Sequence, residues 1–375
     1  MPMSILRHAC RLAAFALCAF ATCAAATEPK KVLIVVSSEG RDHGKTRPGF
    51  EMDELAQAWV ILRANGLHLD IASPAGGAAQ ADKHNVKEAF NASFLADAEA
   101  TRQLADTRAT RDVRAADYAA VYVVGGKGAM FDLPKDTALK AVLSDVYDRG
   151  GVVAAVCHGP AALADVRLHD GTLLVAGKAL TGFSNEEEAI FGKRWAKEFP
   201  FLLEDALRER GARWQEAPLM MPKLVVDGRL ITGQNPYSTA AVAEAIVKAL
   251  GEPPVARTPW RDEATMALVQ RRLDGAAEAT RDELAAHRER FHVELIGLLG
   301  YYQLQAASND DAVRAALTIM QLAEPHMPAP QLALGIADAE WRLGDADAAH
   351  QRIGKVLEKH PDMDEAKQLL ARIKP

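Results

Sequence analysis

Cysteine is scarce in this chain and unevenly placed. There are four among 375 residues. Cys10, Cys18 and Cys23 crowd the N-terminus, which leaves Cys157 alone. A chain that sheds its first segment keeps one thiol and has no internal disulfide. Long apolar runs are missing after residue 30, which excludes a bilayer-spanning helix there. Strong charge of one sign is missing too. The formal net charge is −6, so no nucleic-acid partner is expected. His43 and His84 fall in loops without metal-ligand spacing and read as solvated. No metal or organic cofactor is expected. What is present is globular in composition, 49% hydrophobic and 25% charged, with length for two domains.

The N-terminus reads as a secretory signal over residues 1–26. Arg7 and Arg11 precede the short apolar block L-A-A-F-A-L-C-A-F-A, and Ala24, Ala25 and Ala26 supply small residues at the cut. Cleavage near Ala26 would send the protein to the periplasm or outside the cell. A lone cysteine in an exported protein marks a candidate reactive group.

Residues 30–252 alternate short apolar strands with helices. K-V-L-I-V-V (Lys31 to Val36) is a buried strand, and Met52 to Gly66 is an amphipathic helix stopped by glycine. Leu67 to Pro74 and Tyr118 to Gly128 are strands that run into glycine loops, and Gly151 to Val156 is another strand. This pattern predicts an α/β fold with a mostly parallel sheet covered on both faces. Ligands in such sheets bind at the carboxyl ends of the strands. A Pro-rich linker, residues 253–262, breaks the alternation. Residues 263–375 read as wholly helical. N-D-D-A-V-R-A-A-L at Asn309 overlays D-A-D-A-A-H-Q-R-I at Asp345, and Pro325 overlays Pro361 at an offset of 36 residues. That is close to a helix-pair repeat of about 34, tetratricopeptide-like. So short an array needs cover from the first domain or a partner.

The chemistry concentrates at A-V-C-H-G-P. A strand, a sharp turn and a helix would lift Cys157 clear of the sheet as a nucleophile elbow. Gly159 permits a tight approach, and Pro160 suits a first helical turn. The helix dipole would then favour thiolate, with His158 placed to move protons. The tripeptide alone also suits a cysteine packed as a small apolar residue.

A-V-C-H-G-P-A-A-L, G-G-K-G-A-M-F-D-L-P (Gly125 to Pro134), A-S-P-A-G-G (Ala72 to Gly77), L-T-G-F-S-N-E-E-E (Leu180 to Glu188) and I-T-G-Q-N-P (Ile231 to Pro236) together resemble the ThiJ/PfpI superfamily. They are most similar to its heat-shock-associated branch, which contains glutathione-independent glyoxalases. The resemblance runs from Lys31 to Gly251 and says nothing about the tail. It implies a flavodoxin-like three-layer sandwich ahead of the all-α region. It also implies roles: Cys157 as nucleophile, His158 beside it, Glu54 hydrogen-bonded to the cysteine, and Glu188 orienting the histidine, with Glu187 the next candidate. Gly126 and the His158 backbone N–H match the oxyanion donors. Asn235-Pro236 reads as a helix cap. The implied substrate is a small aldehyde or dicarbonyl such as methylglyoxal, converted to D-lactate by a homodimer. A holdase using the helical tail to bind proteins, or a cysteine peptidase or amidase, are the alternatives. Two positions depart from the branch: Lys127 where histidine is usual, and Ala58 where proline is common.

Overall fold

The computed structural model describes residues 30–373. The expected signal lies outside the described residues. Among these residues no helix is long and apolar enough to cross a membrane. The strands are β1 (Lys31–Val35), β2 (His68–Ser73), β3 (Arg108–Ala109), β4 (Ala120–Val123), β5 (Val152–Val156), β6 (Ala179–Leu180), β7 (Arg213–Trp214), β8 (Leu224–Asp227) and β9 (Leu230–Gly233). Seven of them form one sheet in the order β3-β2-β1-β4-β5-β9-β8, and β6 pairs with β7 separately. Only β8 runs antiparallel to its neighbour in that sheet.

Every residue of β4 and β5 is buried. Successive side chains point to opposite faces of a strand, so both faces of the sheet are covered. The cover comes from α1 (Met52–Ala64), α2 (Ala89–Ala96), α3 (Ala98–Ala105), α4 (Ala129–Asp132), α5 (Thr137–Asp148), α6 (Asn185–Phe191), α7 (Leu203–Glu209) and α8 (Thr239–Ala249). Helix α1 buries Leu55, Ala58, Trp59 and Leu62. Alanine at position 58 leaves it unbroken. The strand order turns back on itself beside β1, and ligands bind outside the carboxyl ends of the strands at such a switch. The loops after β1, β4 and β5 meet there.

The chain then crosses to the tail, but not as a free linker. The Val255 N–H donates to Asn65 Oδ1 at 2.8 Å. Arg257 pairs with Glu244 and Glu263, and Trp260 packs edge-on to Phe90 at 5.3 Å. Helix α9 (Arg261–Leu273) starts earlier than the expected 263, because Glu263 turns back to accept the Trp260 N–H at 2.9 Å. The remaining helices are α10 (Ala277–Ala286), α11 (Val293–Ala306), α12 (Asp310–Ala323), α13 (Pro330–Arg342), α14 (Ala346–Lys359) and α15 (Asp364–Arg372). The two overlaid segments adopt the same local structure. Asn309 caps α12 through the Ala312 N–H, and Asp345 caps α14 through the Ala348 N–H.

The tail has its own core around Leu268, Ile296, Leu299, Ile319 and Ile336. Met221 of the first domain is buried in the same cluster, so that domain supplies cover for the array. Helices α11 and α12 approach closely because Gly300 has no side chain. A Cβ there would sit 2.6 Å from Met320 Cγ and 2.9 Å from its backbone nitrogen. Gly300→Ala is therefore expected to lower the urea midpoint, with an overpacking cost of about 1–3 kcal/mol. An unchanged midpoint would show that the helices separate freely.

Candidate active site

Cys157 stands where β5 ends, and its φ is +58°. A non-glycine residue in the left-handed region costs about 1–3 kcal/mol, so the surroundings must hold it. Two backbone bonds do so. The Cys157 N–H donates to Gly233 O at 2.9 Å, and its carbonyl accepts the Phe183 N–H at 2.8 Å. The turn aims the side chain away from the sheet, as expected of an elbow. Cys157 is 4% exposed and faces a pocket of about 200 Å³.

Glycines after β4 bring the backbone up to the sulfur. A Cβ on Gly125 would lie 2.7 Å from Cys157 Cβ and 2.8 Å from Glu54 Oε2. Gly126 has φ +88°, and a Cβ there would lie 2.5 Å from the Glu51 nitrogen. The Gly126 N–H is directed at the thiol.

His158 is buried against the ring of Phe183, with centroids 4.4 Å apart. Its Nδ1 lies 3.4 Å from Cys157 Sγ, and its Nε2 lies 2.8 Å from Glu188 Oε2. A carboxylate only accepts, so Nε2–H is the donor and Nδ1 is free to accept from the thiol. Helix α6 places the three consecutive acids differently. Glu188 reaches His158. Glu187 Oε2 instead accepts the Ser184 N–H, while its Oε1 accepts the Met220 N–H and the Asn235 amide. Asn235 caps the short turn that follows, as expected, and lines the pocket as well. His43 is exposed, and His84 holds only its neighbour's carbonyl, Asp82 O.

Glu54 rises from the first turn of α1 and is fully buried. Its Oε2 accepts the Gly125 N–H at 2.6 Å, and its Oε1 has no partner. Burial and then the Glu51 carboxylate push the Glu54 carboxyl well above the ordinary range. Burial and Glu54 push the Cys157 thiol up in turn.

The expected helix dipole does not relieve this. The element after the elbow is a five-residue 3-10 turn, Gly159–Leu163, and not an α-helix. An ionised Glu54 disfavours an ionised Cys157 beside it. A thiolate survives here when Glu54 holds the proton. The protonated carboxyl carries no like charge and can donate to sulfur, and the Gly126 N–H adds a second donor.

Several pocket residues carry no sequence motif. Phe191, Met220 and Tyr237 line it, and Met220 is held at φ +63°. Glu51 lines it as well, its carboxyl pushed up to about 8 by burial, Asp53 and Asp82. Its position three residues before Glu54, on the same helix face, was the available signal. Lys127 stands at the pocket, where the departure from the glycine motif suggested.

A family model described as the DJ-1/PfpI family matches residues 45–249. The chain belongs to the DJ-1/PfpI family. Among its relatives, the glutathione-independent glyoxalase hsp3101 of Schizosaccharomyces pombe is 32% identical over 235 residues, covering 58% of this chain and 95% of that one. The glutathione-independent glyoxalase HSP31 of Saccharomyces cerevisiae is 33% identical over 239 residues, covering 59% and 98%. The crystal structure of glyoxalase III from Candida albicans superimposes with a TM-score of 0.54 at 29% identity, covering 59% and 97%. The DJ-1/PfpI match stops before α9.

Two expectations follow from the buried acids. Glu54→Leu removes the protonated carboxyl that can donate to sulfur as the thiol ionises, worth about 1.5–3 kcal/mol, so iodoacetamide should alkylate Cys157 at pH 7 roughly ten- to a hundredfold more slowly. Glu54→Gln, which keeps a donor, should fall between. Equal rates in all three proteins would remove Glu54 from the thiol's environment. Glu187 is pushed up from 4.5 to about 7, mainly by burial. The folded state therefore keeps this proton longer than the unfolded chain. The resulting stability is whole below pH 4.5 and is lost as pH rises through about 7, on the order of 3 kcal/mol. Urea midpoints should fall over that window, and less steeply in Glu187→Gln. The same slope in both proteins would contradict the assignment.

Proposed function

We propose that this chain is a glutathione-independent glyoxalase that converts a small 2-oxoaldehyde such as methylglyoxal to a 2-hydroxy acid. One observation carries the reading. A single thiol on a strained elbow is met by Glu54 on one side and by the His158–Glu188 pair on the other, beside a small pocket. The names of the yeast and Candida relatives support it.

Cys157 thiolate adds to the aldehyde carbon, and the carbonyl oxygen takes the Glu54 proton to give a hemithioacetal. The backbone N–H groups of Gly126 and His158 stabilise the developing oxyanion, at roughly 3 kcal/mol per donor in comparable sites. A base then removes the hydrogen from the former aldehyde carbon, which forms an enediol. Glu54, now ionised, and His158 Nδ1 are both placed for this. Return of the proton to the adjacent carbon gives a thioester of the 2-hydroxy acid. Water hydrolyses it, releasing D-lactate from methylglyoxal and regenerating the thiol. Glu188 holds the His158 ring throughout. No second thiol is consumed.

The leader read in residues 1–26 supports action outside the cytoplasm. The paired helices α11 to α14, with α12 and α14 capped alike, support a short tetratricopeptide-like array.

Cys157→Ser should abolish lactate formation from methylglyoxal in the absence of glutathione. Glu188→Gln, which keeps the contact but removes the charge, should lower kcat by about 10²–10⁴, the range of general acid–base contributions. Turnover by Cys157→Ser equal to wild type would sink the proposal.

A further inference from the structure

The geometry points to the helical tail as one wall of the active-site pocket, and so as a determinant of which carbonyl substituents reach Cys157. Three pocket-lining side chains are backed by the tail. Tyr302 on α11 packs edge-on against Phe191, with centroids 5.0 Å apart at 76°. Met220 and Tyr237 pack into the tail's apolar cluster. A fourth contact clamps the segment that carries Met220: buried Gln303 on α11 donates through Nε2 to Leu219 O at 2.9 Å.

The same segment is gripped from the catalytic side. Glu187 accepts the Met220 N–H, and Asn235 donates to Met221 O at 2.9 Å. Met220 is thus fixed between two domains in a left-handed conformation that an L side chain rarely adopts. Strain of this kind persists only where the surroundings over-determine it, and here α11 supplies one of the three hydrogen bonds that hold the segment. Phe191 belongs to the helix that carries Glu187 and Glu188, so pressure from Tyr302 bears on the histidine's orienting acid as well.

The pocket is small, and Phe183, Phe191, Met220 and Tyr237 contribute much of its lining. A wall held this way admits a short substituent beside the reacting carbonyl and turns away an aromatic one. The family match ends at residue 249, before α11 begins. Tyr302 and Gln303 are positioning residues that touch the wall and not the thiol.

The choice of dicarbonyls as substrate rests on the glyoxalase reading, whereas the wall itself does not. The test therefore has two arms on the full chain. In the first, Cys157 alkylation by iodoacetamide and by the bulkier N-benzylmaleimide is followed by peptide mass. Tyr302→Ala and Gln303→Leu should each raise the bulky-to-small rate ratio roughly tenfold, the scale of discrimination set by small changes in an apolar pocket. Tyr302→Phe, which keeps the ring, should restore the wild-type ratio. In the second arm, the kcat/KM ratio of phenylglyoxal to methylglyoxal should rise in the same two variants, with the methylglyoxal change appearing in KM. Met220→Ala opens the wall from the catalytic side and serves if a tail variant folds poorly. An unchanged alkylation ratio in Met220→Ala, or in folded tail variants, overturns the proposal. A shifted alkylation ratio with neither dicarbonyl turned over leaves the wall standing and removes the glyoxalase reading.

Discussion

A thiol and a carboxyl buried side by side have room for one negative charge between them, and the rest of the site is arranged around that constraint. Burial and then the crowding Glu51 carboxyl push the Glu54 carboxyl up, although the Gly125 N–H pulls the other way. The sulfur can then take the charge, with Gly126 donating to it. A nearby α-helix could have supplied the same stabilisation. The turn after Cys157 is too short for that, so the burden falls on one proton and one N–H. The arrangement also suits the chemistry, since the group that protects the thiolate is the group that can hand over a proton when sulfur forms its new bond.

Holding such a cluster takes rigid backbone. The elbow is fastened to β9 through Gly233 and to the loop before α6 through Phe183. That loop leads directly into the helix whose acids divide the work, Glu188 on His158 and Glu187 on the Met220 segment. The nucleophile, the histidine's orienting acid and the pocket wall are thus mechanically linked through a few residues. The tail's contact with Phe191 and Leu219 extends the linkage into a second core.

Much of this was legible in the sequence. The apolar runs at Lys31–Val35 and Val152–Val156 read as buried strands because both faces of a parallel sheet are covered. The Cys-His-Gly-Pro turn read as an elbow because few other turns join a buried strand to a glycine and a proline. The helix from Met52 was recognised to within two residues of its end. Other features resisted reading. The dipole argument for the thiol failed because a turn continuing as 3-10 and one continuing as α-helix begin with the same residues. Three consecutive glutamates differ in role by about a hundred degrees of rotation around α6, which composition does not record. Met220, in A-P-L-M-M-P, gave no sign of a left-handed backbone.

The sequence by itself determined the layered α/β fold, the break near residue 253, the helical tail and the cysteine at the turn after β5. These follow from local chemistry: apolar periodicity, turn residues and caps act within a few positions along the chain. Only the tertiary structure decided that Glu54 is buried beside the sulfur, that Glu188 and not Glu187 meets His158, and that α11 packs behind Phe191 and holds Leu219. Those outcomes depend on groups far apart along the chain, as Glu54 and Cys157 or Phe191 and Tyr302 are. Their meeting is settled by packing, where burial and competing hydrogen bonds select one partner among several that are chemically alike.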